Sequence, residues 1–533
     1  MKIKIITFVI MLIIIINSYA ALADTKNNDS LEDNPDNENF VEIRLARHSA
    51  MGSSYSIFDY IFDDYQWMVG DKIYKINMSL LTDYDIFRGE LTTENYDLLI
   101  MPFSEAIIEL ARFFYPSVRG KIWKTKIKEF IEDGGGFIGY CAPTFLAADL
   151  EGKPDTLLEK MVDNFDLGIS NVKIVFDGGF PFLSQLSGKP EKIGPMAYYW
   201  YSRMYVPLDV TVDRSNPIFN DFLEDKRRIS WCSGPAFELP EFDENISALA
   251  YYPSEEISDN KSTQIHAWRY TGGIRGLIKG FFRSRGVGNL IVPKLFYFAG
   301  DWEPTDKIIQ TNYSNKPFMI METYPNENQG RIILSGGHPE SQVCWGGEFK
   351  EMEDTRYNIL FDGLNFYTNM TSWDDTPQDE FTYNWWIVRR HVAWTSKKVP
   401  DCDLPPVYGS SQVVDLEVYN QSSCFTIQGN IELSAPFSLY YLHCLSPSNV
   451  SLDLYYRYSM DNSSCWSNWM LYKKDDDISD GWLWEFNASE LNGTGFYQFY
   501  SIKQVEFYCE NEMYRIIETA PPGPDAIAYV KIE

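Results

Sequence analysis

Histidine is the scarcest reactive side chain in this sequence: His48, His266, His338, His391 and His443 are the only five in 533 residues. No grouping of histidine and cysteine has zinc-ligand spacing, so the motifs lead us to expect no metal and no cofactor. Positive charge is short as well. Lys and Arg number 46 against 75 Asp and Glu, giving a formal net charge of −29 and a pI near 4.6. Without a basic footprint to neutralise phosphates, a nucleic-acid partner is not expected. No glycine-rich loop carries the Lys and Ser/Thr that cradle a phosphate, and no G-x-S-x-G sequence provides a serine elbow. Beyond residue 23, no stretch is apolar enough to span a bilayer.

Aromatic residues are abundant, with 35 Tyr, 34 Phe and 15 Trp, and 45% of the chain is hydrophobic. That composition belongs to a folded globular protein, long enough for two or more domains. At the N-terminus, Lys2 and Lys4 precede an apolar run from Ile5 to Ile16 and then Ala21-Leu22-Ala23. The pattern predicts a signal peptide over 1–23 and an extracellular or cell-surface location. Residues 24–39 are acidic and Asn-rich and read as a disordered leader. Eleven Asn-x-Ser/Thr sequons, Asn77, Asn245 and Asn492 among them, suit an exported glycoprotein. Five of the eight cysteines fall in the last third, and in an exported chain some of them are expected to form disulfides.

From Val41 onward, short apolar runs alternate with helical patterns. Val41–Leu45, Lys72–Leu81, the run Tyr96 to Pro102 and Phe137–Tyr140 read as strands. Lys121–Ile131 places Ile122, Ile127, Phe130 and Ile131 on one helical face and ends at a triple glycine. This rhythm predicts an α/β domain over 40–370 with a parallel sheet and ligands at the strands' carboxyl ends. Residues 157–249 are less regular. An insertion is expected at about 255–316, where Arg269, Arg275, Lys279, Arg283, Arg285 and Lys294 occur among aromatics. It reads as a hairpin or helix with solvated charges, or as a lid or anionic-ligand surface. Phe318–Thr323 and Gly330–Leu334 form a predicted hairpin, a helix is expected over Arg356–Tyr367, and 371–412 reads as a connector with some local structure. From Val413 the pattern becomes period two, clearest where Val450, Leu452, Leu454, Tyr456 and Tyr458 alternate with polar neighbours. Regular short runs with Asn, Gly and Asp turns predict an all-β sandwich over 413–533.

Two short stretches carry the chemistry. GGGFIGYCAP, Gly134 to Pro143, reads as a helix stop, a buried strand, a sharp turn at Cys141 and a new helix from Thr144. A nucleophile on such a turn stands clear of the backbone, and the following helix N-terminus favours a thiolate. GGHPE, Gly336 to Glu340, places His338 and Glu340 at i and i+2 of an extended segment, where both point the same way. The expected roles are Cys141 as nucleophile, His338 as base, Glu340 as the group orienting His338, and the Ala142 N–H as oxyanion donor.

GGGFIGYCAP together with GRIILSGGHPE resembles the class I glutamine amidotransferase-like superfamily, most closely the biotin-protein-ligase N-terminal domain family. GSSYSIFDYIF and WCSGPAFE extend the likeness, which runs from Val41 to about Tyr367. The resemblance implies a flavodoxin-like α/β domain and a triad at Cys141, His338 and Glu340. Two positions depart from the family pattern. The elbow usually reads G-x-C-x-G, whereas residue 143 is Pro, and a loop commonly Pro-Gly-Gly reads Pro102-Phe103-Ser104. The segment from about Val413 to Glu533 resembles immunoglobulin-like or fibronectin-like modules at the end of archaeal surface proteins. The expected function is a cysteine amidohydrolase acting on a small-molecule or peptide-like carboxamide, with the C-terminal module serving attachment. The alternative is a non-catalytic cell-surface binding protein that retains the pocket.

Overall fold

The computed structural model describes residues 40–49, 57–62, 65–69, 72–101, 118–141, 143–151, 166–175, 198–200, 206–222, 224–231, 234–257, 266–270, 302–308, 312–325, 329–341, 343–344, 348–351, 371–374, 380–382, 384–407, 411–414, 423–431, 449–462, 465–477, 481–509, 512–518 and 524–532. The expected signal peptide and leader, the helix expected over Arg356–Tyr367 and most of the expected basic insertion lie outside these residues.

An eleven-stranded sheet organises the first part of the chain. Its strands are β1 (Phe40–Ser49), β2 (Gln66–Val69), β3 (Lys72–Thr82), β4 (Leu98–Met101), β5 (Gly136–Tyr140), β6 (Val206–Val212), β7 (Lys226–Trp231), β8 (Ile246–Tyr251), β9 (Pro317–Tyr324), β10 (Gly330–Ser335) and β11 (Gly337–His338). From edge to edge the order is β11-β7-β6-β8-β9-β10-β5-β4-β1-β3-β2. The run β10-β5-β4-β1-β3 is parallel, and every other pairing is antiparallel.

This overturns the expectation of a flavodoxin-like α/β domain. The sheet is mixed, with six of its ten pairings antiparallel, and among the described residues strand far outweighs helix, so the domain as a whole is not a helix-flanked flavodoxin-like fold. The misreading arose in the less regular stretch. β7 and β8 are buried along consecutive residues (Ile229 to Trp231 and Ala248 to Ala250), which erases the period-two alternation that identifies a strand.

The antiparallel part returns on itself. β10 and β11 are one continuous piece of chain bent at Gly336. β10 pairs with β9 and β5, whereas β11 pairs with β7 at the far edge of the sheet. The order β10-β9-β8-β6-β7-β11 is therefore a closed ring. Its apolar filling includes Leu208, Val210, Ile229, Trp231, Leu249 and Phe318. Closure requires glycine at the bend: a Cβ on Gly336 would lie 2.1 Å from the Pro235 carbonyl oxygen, and one on Gly337 would lie 2.1 Å from the Phe318 ring.

Both faces of the parallel part are covered. Ile43, Leu45, Leu98, Ile100, Ile138 and Tyr140 face one apolar cluster, to which helices α1 (Ile57–Phe62) and, later in the chain, Trp385–Thr395 contribute. Ala46, Leu99, Met101 and Phe137 face the other, beneath α2 (Asp83–Arg88), α3 (Val118–Glu132) and the single turn α4 (Thr144–Ala147). Trp385–Thr395, α5, lies inside the segment read as a connector, yet every one of its residues is buried. Arg389 donates to the Ile61 carbonyl through Nε (3.1 Å) and Nη2 (2.8 Å), and Arg390 donates to the Pro405 carbonyl and to Asp221. These bonds offset much of the cost of burying the two cations.

In the last third, a three-stranded sheet (Ser411–Val414, Cys424–Ile431, Leu483–Asn487) shares an aromatic core with a seven-stranded one, including Ile427, Leu454, Trp484, Phe486, Tyr497 and Phe499. The larger sheet also takes in Val343–Cys344 and Glu380–Thr382, so the chain leaving β11 runs directly into it.

Candidate functional site

Cys141 follows the last residue of β5. Its N–H donates to the Ser335 carbonyl at 2.7 Å, so the β5–β10 pairing extends to this residue. The backbone then turns sharply. Cys141 has φ 60, in the left-handed region that non-glycine residues rarely occupy. Its carbonyl accepts from both the N–H and the hydroxyl of Thr144, locking the turn into α4. The strand-to-helix elbow expected from GGGFIGYCAP is therefore present, with Pro143 in helical conformation at its entry (φ −58, ψ −18). Because α4 is only one turn long, its dipole contributes little to a thiolate. Cys141 is a thiol and is 3% exposed. Ala142, the expected oxyanion donor, lies outside the described residues.

His338 ends β11, and its Nδ1 is 2.7 Å from Glu340 Oε1. Both side chains are buried. The structure thus brings His338 and Glu340 together, with the carboxylate fixing the imidazole orientation. Cys141 is bonded through its backbone to Ser335, and His338 lies three positions further along the chain. That stretch spans at most about 10 Å, so the backbones of Cys141 and His338 come near one another at the ends of β5 and β11.

Residues given no chemical role in the sequence reading surround the pair. The Trp385 indole N–H donates to the Glu340 carbonyl at 2.9 Å. His391, on the same helix, is hydrogen-bonded through Nδ1 to the Tyr140 hydroxyl at 2.8 Å. Burial pulls the His391 pKa down to about 3, so it is neutral. Burial, then the nearby Glu340 charge, holds Tyr140 well above the ordinary phenol range. On the ring side, the Tyr252 hydroxyl donates to the Gly234 and Pro235 carbonyls (3.1 and 3.0 Å) and accepts from the Trp231 indole N–H (3.0 Å). Its pKa is also raised well above the ordinary value, by burial first, then by Tyr313 and Cys141. Trp231, Gly234 and Pro235 belong to WCSGPAFE, which crosses the glycine bend: a Cβ on Gly234 would sit 1.7 Å from the Gly336 carbonyl oxygen. The unbroken run WWIVRRHVAWT, free of Gly and Pro, was the sequence signal for α5, partly hidden by its arginines and histidine.

Among the described residues, no group of His, Cys, Asp and Glu could hold a metal ion, and no helix is long and apolar enough to cross a membrane. No protein-family model matches the chain, and no curated protein matches it either.

Proposed function

We propose that this chain is an exported cysteine amidohydrolase that cleaves a carboxamide or peptide-like bond through a thioester at Cys141. The supporting observation is the buried Nδ1···Oε1 bond between His338 and Glu340, at the corner where Cys141 occupies a left-handed turn. His338 takes the thiol proton, the thiolate attacks the carbonyl carbon, and the same imidazole protonates the departing amine. Motif likeness to the amidotransferase-like proteins supports this reading; the flavodoxin-like architecture forms no part of it. Export follows from the N-terminal apolar run and Ala21-Leu22-Ala23, and sequencing of the secreted protein is expected to begin at Asp24.

The burial of Cys141 and His338, 3% and 0% exposed, favours a second reading, a non-catalytic surface protein that retains the corner as structure. Iodoacetamide labelling across pH, followed at the Cys141 peptide by mass spectrometry, separates the two. An active pair gives a labelling inflection well below about 8.5, the value of an ordinary thiol. An inflection at or above that value, in protein still folded, overturns the enzyme.

A further inference from the structure

Ser230 stands beside the His338–Glu340 pair and has no role in the chemistry assigned above. It lies directly opposite His338 in the antiparallel β7–β11 pair. Residues so placed project to the same face, with Cβ atoms about 4.5–5.5 Å apart. Its chain neighbours Ile229 and Trp231 belong to the apolar core, so the alternation of the strand turns Ser230 away from that filling and toward the imidazole side. Ser230 is fully buried, and its Oγ has no hydrogen-bond partner among the described residues. A buried hydroxyl without a partner is destabilising, and alanine would fill the same position without that cost. An orphaned donor next to a candidate base is therefore best explained by something it meets only when a ligand is bound.

We propose that Ser230 is a substrate-contacting residue whose hydroxyl donates a hydrogen bond to the carbonyl oxygen under attack. The proposal rests on the amidohydrolase reading and supplies a donor where the loop Pro102-Phe103-Ser104 lacks paired glycines. His338 accepts the thiol proton as Cys141 Sγ bonds to the carbonyl carbon, and the C=O π pair moves onto oxygen. Ser230 O–H donates to that oxygen and keeps its own proton. On collapse the pair returns, the C–N bond breaks, and the amine departs with the proton from His338, leaving a thioester for water to hydrolyse.

The test uses full-length protein with 4-nitroacetanilide as the probe, comparing wild type, Ser230→Ala and Ser230→Thr. Removing one oxyanion donor is expected to lower kcat about 100-fold with KM little changed, and Ser230→Thr should recover most of the rate. Tm of Ser230→Ala should hold or rise, and the Cys141 labelling inflection should not move. An unchanged kcat in Ser230→Ala overturns the proposal, as does a lower Tm accompanying the lost activity, which would mark Ser230 as structural. If wild-type protein cleaves no anilide, the amidohydrolase reading fails in this assay and Tm decides the hydroxyl separately. A Ser230→Ala protein at least as stable as wild type then supports an orphaned, ligand-facing group, and a less stable one refutes it.

Discussion

Glu322 offers the sharpest test of the packing around the elbow. It lies on β9, fully buried, where Ser170 Oγ donates to one carboxylate oxygen and the Asn171 N–H to the other at 2.9 Å. The segment it holds, residues 166–171, also bonds to α4 through the Leu146 and Ala147 carbonyls, directly behind the Cys141 turn. Burial pushes the Glu322 carboxyl up to about 7 from an ordinary 4.5, against the pull of the Ser170 and Asn171 hydrogen bonds. Between those two values the unfolded chain has lost the proton while the folded chain retains it. Stability therefore falls as pH rises from about 4.5 to about 7 and is level above, by an amount on the order of 3 kcal/mol. Glu322→Gln removes the ionisation, keeps an acceptor for Asn171 and stands in for the protonated carboxyl that the folded chain holds below about 7. The expected gain is about 3 kcal/mol at pH 8, with none at pH 4. Urea unfolding of both proteins at the two pH values measures it. An equal gain at both pH values, or a loss at pH 8, refutes the reasoning.

The remaining predictions concern the walls and the bend. His391, held at about 3 by burial, stays neutral in the folded chain while the unfolded chain protonates below about 6.5, so stability is lost as pH falls through that window. His391→Gln keeps a hydrogen-bonding partner for Tyr140 and should flatten this acid limb by a few kcal/mol in urea titrations; an unaltered limb counts against a buried neutral His391. Gly336→Ala places a methyl 2.1 Å from the Pro235 carbonyl oxygen and 2.7 Å from the Tyr252 hydroxyl, both part of the ring closure. A loss of about 3 kcal/mol or more is expected in thermal unfolding, and a variant as stable as wild type would contradict the bend.

The local parts of the site were legible because they depend on neighbours in sequence. Triple glycine, apolar strand, Cys141 and Thr144 announce an elbow, and the structure contains it, with Cys141 at positive φ. His338 and Glu340, two residues apart on extended backbone, meet as their spacing requires. The strands of the parallel run were visible for a similar reason, as short apolar blocks between turn residues. Where burial is continuous and turns are irregular, as in β7 and β8, the sequence carries no period to read, and the antiparallel strands beyond the predicted hairpin do not show in it.

What the sequence by itself determined is the chemical inventory: one cysteine on a turn, one His–Glu pair on a strand end, few histidines, an acid-rich composition and a leading apolar run. Only the tertiary structure decided what surrounds them. Ser230 is some hundred positions from His338 in the chain, and Trp385 and His391 are farther still from Tyr140, yet strand pairing and one buried helix bring all of them to the same corner. The glycines of GGHPE have the same explanation. Gly336 is required by the Pro235 carbonyl lying across the bend and Gly337 by the Phe318 ring, contacts set by the closure of the sheet and not by any local preference of the residues themselves.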